Sequence, residues 1–333
     1  MSRRWPWVVL AALLLVAAAA ALAVSWWLDR PLPLSRPVVE VSVEPGTPPR
    51  AVAQAWVDAG VAVPARWLYE WFRWSGDARR IRAGSYEVHT GATPRTLLAK
   101  MVRGDEVLEE VRLIEGWTFR QFREALAAAP HLRPTMTGMT DAQVMAALGS
   151  HGRPAEGWFF PDTYRYSRGV SDLTVLRRAH AAMQRRLDAA WAERADDLPL
   201  KTPDEALILA SIVEKETGTE ADRGQVAGVF VNRLRIGMRL QTDPTVIYGL
   251  GADFDGNLTR RHLETDTPYN TYTRAGLPPT PISMPGQAAL LAAVRPQPTK
   301  ALYFVARGDG SSVFSETLDA HNRAVNRYQR GLR

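Results

Sequence analysis

The feature that most constrains this chain is an apolar run from Trp7 to Leu28, 22 residues without a charged side chain. About 20 apolar residues span the hydrocarbon core of a bilayer, and only a helix satisfies every backbone polar group of a single strand of chain there. Arg3 and Arg4 precede the run, which by the positive-inside bias places the N-terminus in the cytoplasm. Trp5 and Trp7 stand at one end and Trp26 and Trp27 at the other, where interfacial aromatic belts form. The competing reading is a cleaved signal peptide, for which Ala21-Leu22-Ala23 offers a small-x-small site. Against it, the apolar run continues past that site and ends in two tryptophans. In either case the rest of the chain is exported. The expected topology is a tail over 1–6, one span over 7–28 and a Pro-rich linker over 29–37.

The remainder is long enough for two domains, since the chain has 333 residues of which 46% are apolar and 23% charged. A net charge of +6 favours anionic surroundings, but an exported domain does not meet nucleic acid, so no nucleic-acid partner is expected. The chain has no cysteine, which excludes disulfides, thiolate nucleophiles and Cys-based zinc sites.

Beyond the linker a strand-like segment runs three times into a Gly-containing turn and then an amphipathic helix. The copies are Val39–Val43 before Gly46-Thr47-Pro48, Ser85–Val88 before Gly91-Ala92-Thr93-Pro94, and Val111–Ile114 before Gly116-Trp117-Thr118. The threonines are candidate N-caps, and in two copies a proline follows at the first helical position. A small α+β module is expected over 38–128, resembling the LysM carbohydrate-binding module in its strand-Gly-Thr-helix units. Farther on, Trp158, Phe159, Phe160 and Tyr164 cluster between Pro and Gly; they read either as a sugar-stacking platform or, more ordinarily, as core.

Pro203 and Gly218 bracket a helix that ends in Glu214-Lys215-Glu216-Thr217. Positions two apart on a helix face nearly opposite ways. Glu216 continues the stripe of Ile208, Leu209, Ile212 and Val213, whereas Glu214 lies above Leu207, Ala210 and Ser211. A carboxyl at the end of a buried stripe is desolvated and stays protonated, as a general acid must. Glu216 is therefore the expected acid, against the bland alternative of a carboxylate paired with an arginine at the rim of a core. Downstream, Gly- and Pro-framed segments rich in Asn, Thr and Tyr suit sugar hydroxyls and acetamido groups. Gln241, Asp243, Tyr248, Asn270 and Tyr272 are the candidate substrate-binding residues. No metal site is expected, because His262 with Glu264 and His321 with Asp319 lack a ligand pattern. A hairpin over 302–314 and a helix from Thr317 complete the chain.

The ordered set Ala210–Thr217, Val229–Leu234, Leu240–Tyr248, Tyr269–Tyr272 and Gly276–Pro279 resembles the YceG/MltG family of endolytic murein transglycosylases. The resemblance implies an anchor, a LysM-like module and a lysozyme-like catalytic domain over 129–333. It implies Glu216 as the catalytic residue, no cofactor, peptidoglycan glycan strands as substrate and peptidoglycan synthases as partners. It further implies an inner-membrane protein with its catalytic part in the periplasm, leaving 1,6-anhydro-N-acetylmuramic acid ends and terminating strand elongation. Two rival functions stand beside it. A hydrolytic muramidase would need a second carboxylate, for which Asp243, Glu214 and Glu220 are available. A non-catalytic wall-binding scaffold would rest on the LysM-like module alone.

Overall fold

A computed structural model describes residues 5–331, with side chains from residue 7 onward, so Arg3 and Arg4 lie outside the described residues. The chain is mixed α and β with an apolar helix at its start, and it forms two compact units. The first unit comprises residues 1–109 and 165–169, the second 110–164 and 170–333.

In the first unit, α1 (Trp5–Leu28) carries the apolar run and is long and apolar enough to cross a membrane. Strand β1 (Val38–Val43) is followed by helices α2 (Pro49–Ala59) and α3 (Ala65–Trp74), then by β2 (Gly84–His89) and α4 (Pro94–Arg103). β1 and β2 pair antiparallel, Val38 opposite His89 and Val43 opposite Gly84. Alternation along β1 buries Val39, Val41 and Val43, and these pack with Trp56, Leu68, Phe72, Tyr86, Leu97 and Met101 into one core. Burial of a side chain such as Phe72 contributes roughly 1.5–3 kcal/mol. The order strand-helix-helix-strand, rather than three repeats, organises this unit.

The capping expectation holds for two of the three copies. Thr93 caps α4 and Thr118 caps α5 (Phe119–Ala128), each accepting from the backbone three residues on. Thr47 does not cap α2. Its hydroxyl donates back to the Glu44 carbonyl at 2.8 Å, and Pro48 occupies the N-cap with Pro49 as the first helical residue. The double proline fixes two successive φ angles and moves the helix start one residue past the threonine.

Strands β3 (Leu108–Arg112) and β4 (Thr163–Ser167) each run across a boundary between the units in the chain. The first boundary between the units falls at Glu109/Glu110, so the third strand-turn-helix copy, with α5, lies entirely in the second. Next come α6 (Asp141–Ala147), α7 (Asp172–Ala192), α8 (Pro203–Glu216), α9 (Glu220–Arg235), α10 (Asp243–Leu250), α11 (Arg260–Glu264) and α12 (Gln287–Val294). The hairpin β5 (Tyr303–Ala306) and β6 (Ser312–Ser315) and the closing helix α13 (Leu318–Tyr328) form as expected.

Helix α8 is the centre of this unit, in contact with α7, α9, α10 and α12. Close packing is enforced at Gly228 of α9, where a Cβ would stand 2.7 Å from the Gln297 carbonyl oxygen. Trp158, Phe159, Phe160 and Tyr164 are all buried, with Phe159 stacked on Phe119 at 4.9 Å, so this cluster is core and not a sugar platform. The short Pro- and Gly-broken segment folds inward because four large rings gain more from burial than a loop loses by ordering.

Candidate active site

Glu216 is the last residue of α8 and Thr217 its C-cap. Thr202 caps the helix start by accepting from the Glu205 amide, and Pro203 sits at the first helical position. The expected contrast between a buried stripe and a mixed face is not what the structure shows. Leu207, Ala210 and Ser211 are as buried as Leu209, Ile212 and Val213, because helices pack around α8 on all sides. Burial consequently raises both carboxyls, Glu214 as well as Glu216.

What separates the two is what each one meets. Ser211 sends the Glu214 face into the segment after Thr280: its hydroxyl accepts from the Ile282 amide at 3.0 Å, and the Ser283 hydroxyl donates to its carbonyl. Glu214 then accepts the Gly286 amide at 2.9 Å, at the N-cap of α12. That is a structural task, an acid at the positive end of a helix. Glu216 instead accepts a hydrogen bond from the Thr242 hydroxyl and lies beside Asp243 and Arg233. Burial holds its carboxyl above the usual carboxylate range, and the Asp243 charge pushes the same way. The Thr242 hydrogen bond and the Arg233 charge pull it back.

The groups around Glu216 are positioned by one loop system. Gln241 adopts φ +51° and donates its amide to the Thr271 carbonyl at 3.1 Å, while the Thr242 amide donates to the Thr271 hydroxyl at 3.0 Å. Asp243, at the first position of α10, accepts from the Tyr272 hydroxyl at 2.6 Å. Burial and that contact with Asp243 keep the Tyr272 phenol protonated well above its ordinary range. Gln241, Asp243 and Tyr272 thus gather at the Glu216 end of α8. Asn270 is fully buried and donates to the carbonyls of His262, Leu263 and Thr265, so its side chain shapes the loop that carries Tyr272. Tyr248 faces another carboxylate, Glu156, and packs edge-on against Tyr269 at 5.0 Å.

Several residues near the site were not among the sequence candidates for substrate binding or catalysis. Arg233 is a buried cation whose Nε donates to the Leu302 carbonyl at 2.7 Å and whose guanidinium lies over Tyr303. His321 stacks on Tyr303 at 5.3 Å, and burial together with Arg233 lowers its pKa. Four buried side-chain atoms lack a protein partner among the described residues: Thr219 Oγ1, Asp222 Oδ2, Arg223 Nε and His321 Nδ1. Three of them follow Glu216 directly, at the start of α9. Glu156 likewise carried no signal of its own. It accepts from the Phe119 amide at 3.0 Å, and burial raises its pKa to about 7.

The model of the YceG-like family matches residues 41–327. The chain belongs to the YceG-like family. Within it, the chain is 28% identical over 318 residues to the endolytic murein transglycosylase of Bacillus subtilis, covering 88% of this chain and 86% of that one. It is 26% identical over 336 residues to the endolytic murein transglycosylase of Streptococcus pneumoniae, covering 90% of this chain but 60% of that relative. Among solved structures, a YceG-like protein from Listeria monocytogenes superposes with a TM-score of 0.55 at 29% identity, over 87% of this chain and 99% of that one.

Proposed function

We propose that the chain is a membrane-anchored endolytic lytic transglycosylase of peptidoglycan, with Glu216 as its single acid/base. The observation that carries this reading is the Glu216 environment: a carboxyl kept above its ordinary range by burial, yet held by one hydroxyl donor and beside Asp243, Tyr272 and Arg233. In the first step Glu216 protonates the bridging oxygen of the β-1,4 bond after an N-acetylmuramic acid residue, and the bond to C1 breaks. The neighbouring acetamido group stabilises the positive charge that develops at C1. Glu216, now a carboxylate, takes the proton of the same sugar's 6-hydroxyl, whose oxygen closes onto C1. A 1,6-anhydro end results and no water is consumed.

Thr242 steadies the carboxylate between the two proton transfers. Gln241 and Tyr272 orient the sugar, and Asn270 acts through the loop. The unpartnered atoms of Thr219, Asp222, Arg223 and His321 support a polyhydroxylated ligand, since buried polar groups ordinarily have a partner. The strand-helix-helix-strand order of the first unit supports the LysM-like reading, and the helical surround of α8 supports the lysozyme-like one. The exposed apolar face of α1 supports a single-span anchor with the two units in the periplasm, beside the synthases whose strands it would terminate.

The neighbouring Asp243 favours one second reading, a hydrolytic muramidase in which Asp243 places a water. Mass spectrometry of glycan strands digested by the full chain decides between them. Anhydro-muramic ends formed without incorporation of labelled oxygen from water are the expected result; reducing ends carrying that label would overturn the transglycosylase reading.

A further inference from the structure

Helix α3 carries a row of three tryptophans that its own unit covers only in part: Trp71 packs against the core and donates its indole N–H to the Pro94 carbonyl at 3.1 Å. Leu68 and Phe72 bury one side of the helix in the core, while Trp67, Trp71 and Trp74 recur at helical spacing on another. Trp67 is 53% exposed and Trp74 76% exposed. Amphipathic rings are costly to leave in water and are not gathered on one face by chance packing. This face meets the last turns of α1. A cavity of about 620 Å³ lies between Val24, Trp27 and Leu28 of α1 and the three tryptophans of α3, and Trp27 meets Trp67 edge-on at 5.7 Å.

Three arginines lie against tryptophans of these two helices, though none lines the cleft itself. Arg30 lies 3.4 Å above the Trp26 ring, Arg73 lies 5.4 Å from the Trp74 ring, and Arg95, ion-paired to Asp29, lies 5.6 Å from the Trp71 ring. The acid within the cleft, Glu70, accepts from the Trp74 indole at 3.1 Å and pairs with Arg73 at 3.5 Å. An apolar, ring-lined cleft with a guanidinium group stacked on the neighbouring Trp26 suits a phospholipid, whose acyl chain is apolar and whose phosphate is anionic. The cleft is continuous with the exposed apolar surface of α1.

We propose that α3 is a second membrane contact: Trp67 and Trp74 enter the bilayer interface where α1 emerges, a phospholipid acyl chain fills the cleft, and Arg30 meets its phosphate. The proposal rests on reading α1 as a membrane span. It seats the first unit on the membrane, and the segment expected as a linker is itself packed into that unit, with Leu32 buried in the core and its amide bonded to the Ala92 carbonyl.

The absence of cysteine allows a direct test. Trp67→Cys, Trp74→Cys, Gln54→Cys and Leu15→Cys are made singly in the full chain and labelled with an environment-sensitive fluorophore. Each is reconstituted into vesicles of phosphatidylcholine and phosphatidylglycerol. Position 54 is an exposed site on α2, and position 15 lies mid-way along α1. Circular dichroism and elution volume check that each variant keeps the parent fold. Spin-labelled lipid is expected to quench positions 67 and 74 several-fold more than position 54, with position 15 quenched by the deepest label. Quenching at 15 without quenching at 67 and 74 overturns the proposal and leaves the anchor standing. No quenching at 15 overturns the anchor reading itself. A blue shift at 74 that grows with protein density and is insensitive to spin-labelled lipid would assign the face to a second copy of the chain and overturn the lipid occupant.

Discussion

Two regions of the second unit hold a buried carboxyl against a threonine- or tyrosine-bearing helix, and they differ in what closes around it. At the Glu156 region a backbone amide from the start of α5 and the Tyr248 phenol both engage the carboxyl, and burial lifts it to about 7. At the Glu216 region one hydroxyl engages it, an acid and an arginine stand beside it, and unpartnered polar atoms follow on α9. Desolvation raises both, so an elevated carboxyl is not in itself a catalytic mark. The partner set distinguishes them: Glu156 is sealed into the fold, while Glu216 keeps acceptor capacity and neighbours suited to a ligand.

The largest effect should come from asking whether the two regions are interchangeable. Glu216→Gln keeps the acceptor for Thr242 but removes the transferable proton, so strand cleavage should fall by roughly 10²–10⁴-fold, the usual range for a positioned acid/base. Glu156→Gln should leave cleavage within a small factor of the parent. Quantifying released glycan by chromatography checks both, with unchanged thermal unfolding of the Glu216 variant as the control. If the Glu156 variant lost as much activity as the Glu216 variant, the distinction between the regions would collapse.

The next largest is a stability effect with a definite sign. Glu156 binds its proton more tightly in the fold than in the unfolded chain, where its pKa is about 4.5. Its contribution is therefore fully present below about pH 4.5 and is lost as pH rises through about 7. At about 1.4 kcal/mol per pH unit the loss is roughly 3 kcal/mol. Glu156→Gln, which is never ionised, should flatten this part of the stability profile, measured as unfolding temperature against pH in detergent.

Much of the architecture was legible because it is written in local rules. The apolar run, the Thr caps at 93 and 118, the Pro203 start and the terminal hairpin each depend on a few neighbouring residues. Where non-local packing decides, the local reading failed. The α8 stripe gave no contrast because helices surround it, whereas the aromatics of 158–164 went into the core, the more ordinary of the two readings open to them. Glu156 and Arg233 were illegible for the same reason, as their partners lie far away in sequence: Phe119 and Tyr248 for the first, Leu302 and Tyr303 for the second. The Glu-Lys-Glu-Thr motif drew attention to two carboxylates, and only their contacts divide the work between them.

A smaller effect sharpens the catalytic side. The Thr242 hydroxyl bonds the Glu216 carboxylate and so lowers its pKa. In Thr242→Val that pull is gone, and the carboxyl should hold its proton to higher pH. The first step needs the protonated form, so activity is lost as pH rises through the Glu216 pKa, and this alkaline limb should move upward in the variant. The first step creates the carboxylate, which has lost about 1 kcal/mol of stabilisation and leaves Glu216 a weaker acid, so the plateau rate should drop by up to roughly fivefold. A rate-pH profile separates the two changes, and a limb that stayed in place would mean that Glu216 is not the titrating acid.

The smallest effect tests the structural carboxylate on the same helix. Glu214 accepts the Gly286 amide where α12 begins, an exchange of charge with a helix end worth about 0.3–1 kcal/mol. Glu214→Gln retains an acceptor and gives up only the charge, so the cost should lie at the low end of that range. Burial and the nearby Glu115 already disfavour the ionised form. The folded pKa is thus raised, the penalty of ionising this group appears as pH rises above the ordinary carboxylate value, and the glutamine variant should compare best with the parent at alkaline pH. Unfolding temperature and cleavage rate measured on the same preparations test this, since a two-residue step along α8 should carry the effect from stability at Glu214 to turnover at Glu216. A large loss of turnover in Glu214→Gln, with its unfolding temperature unchanged, would place Glu214 in the chemistry and reopen the two-carboxylate mechanism.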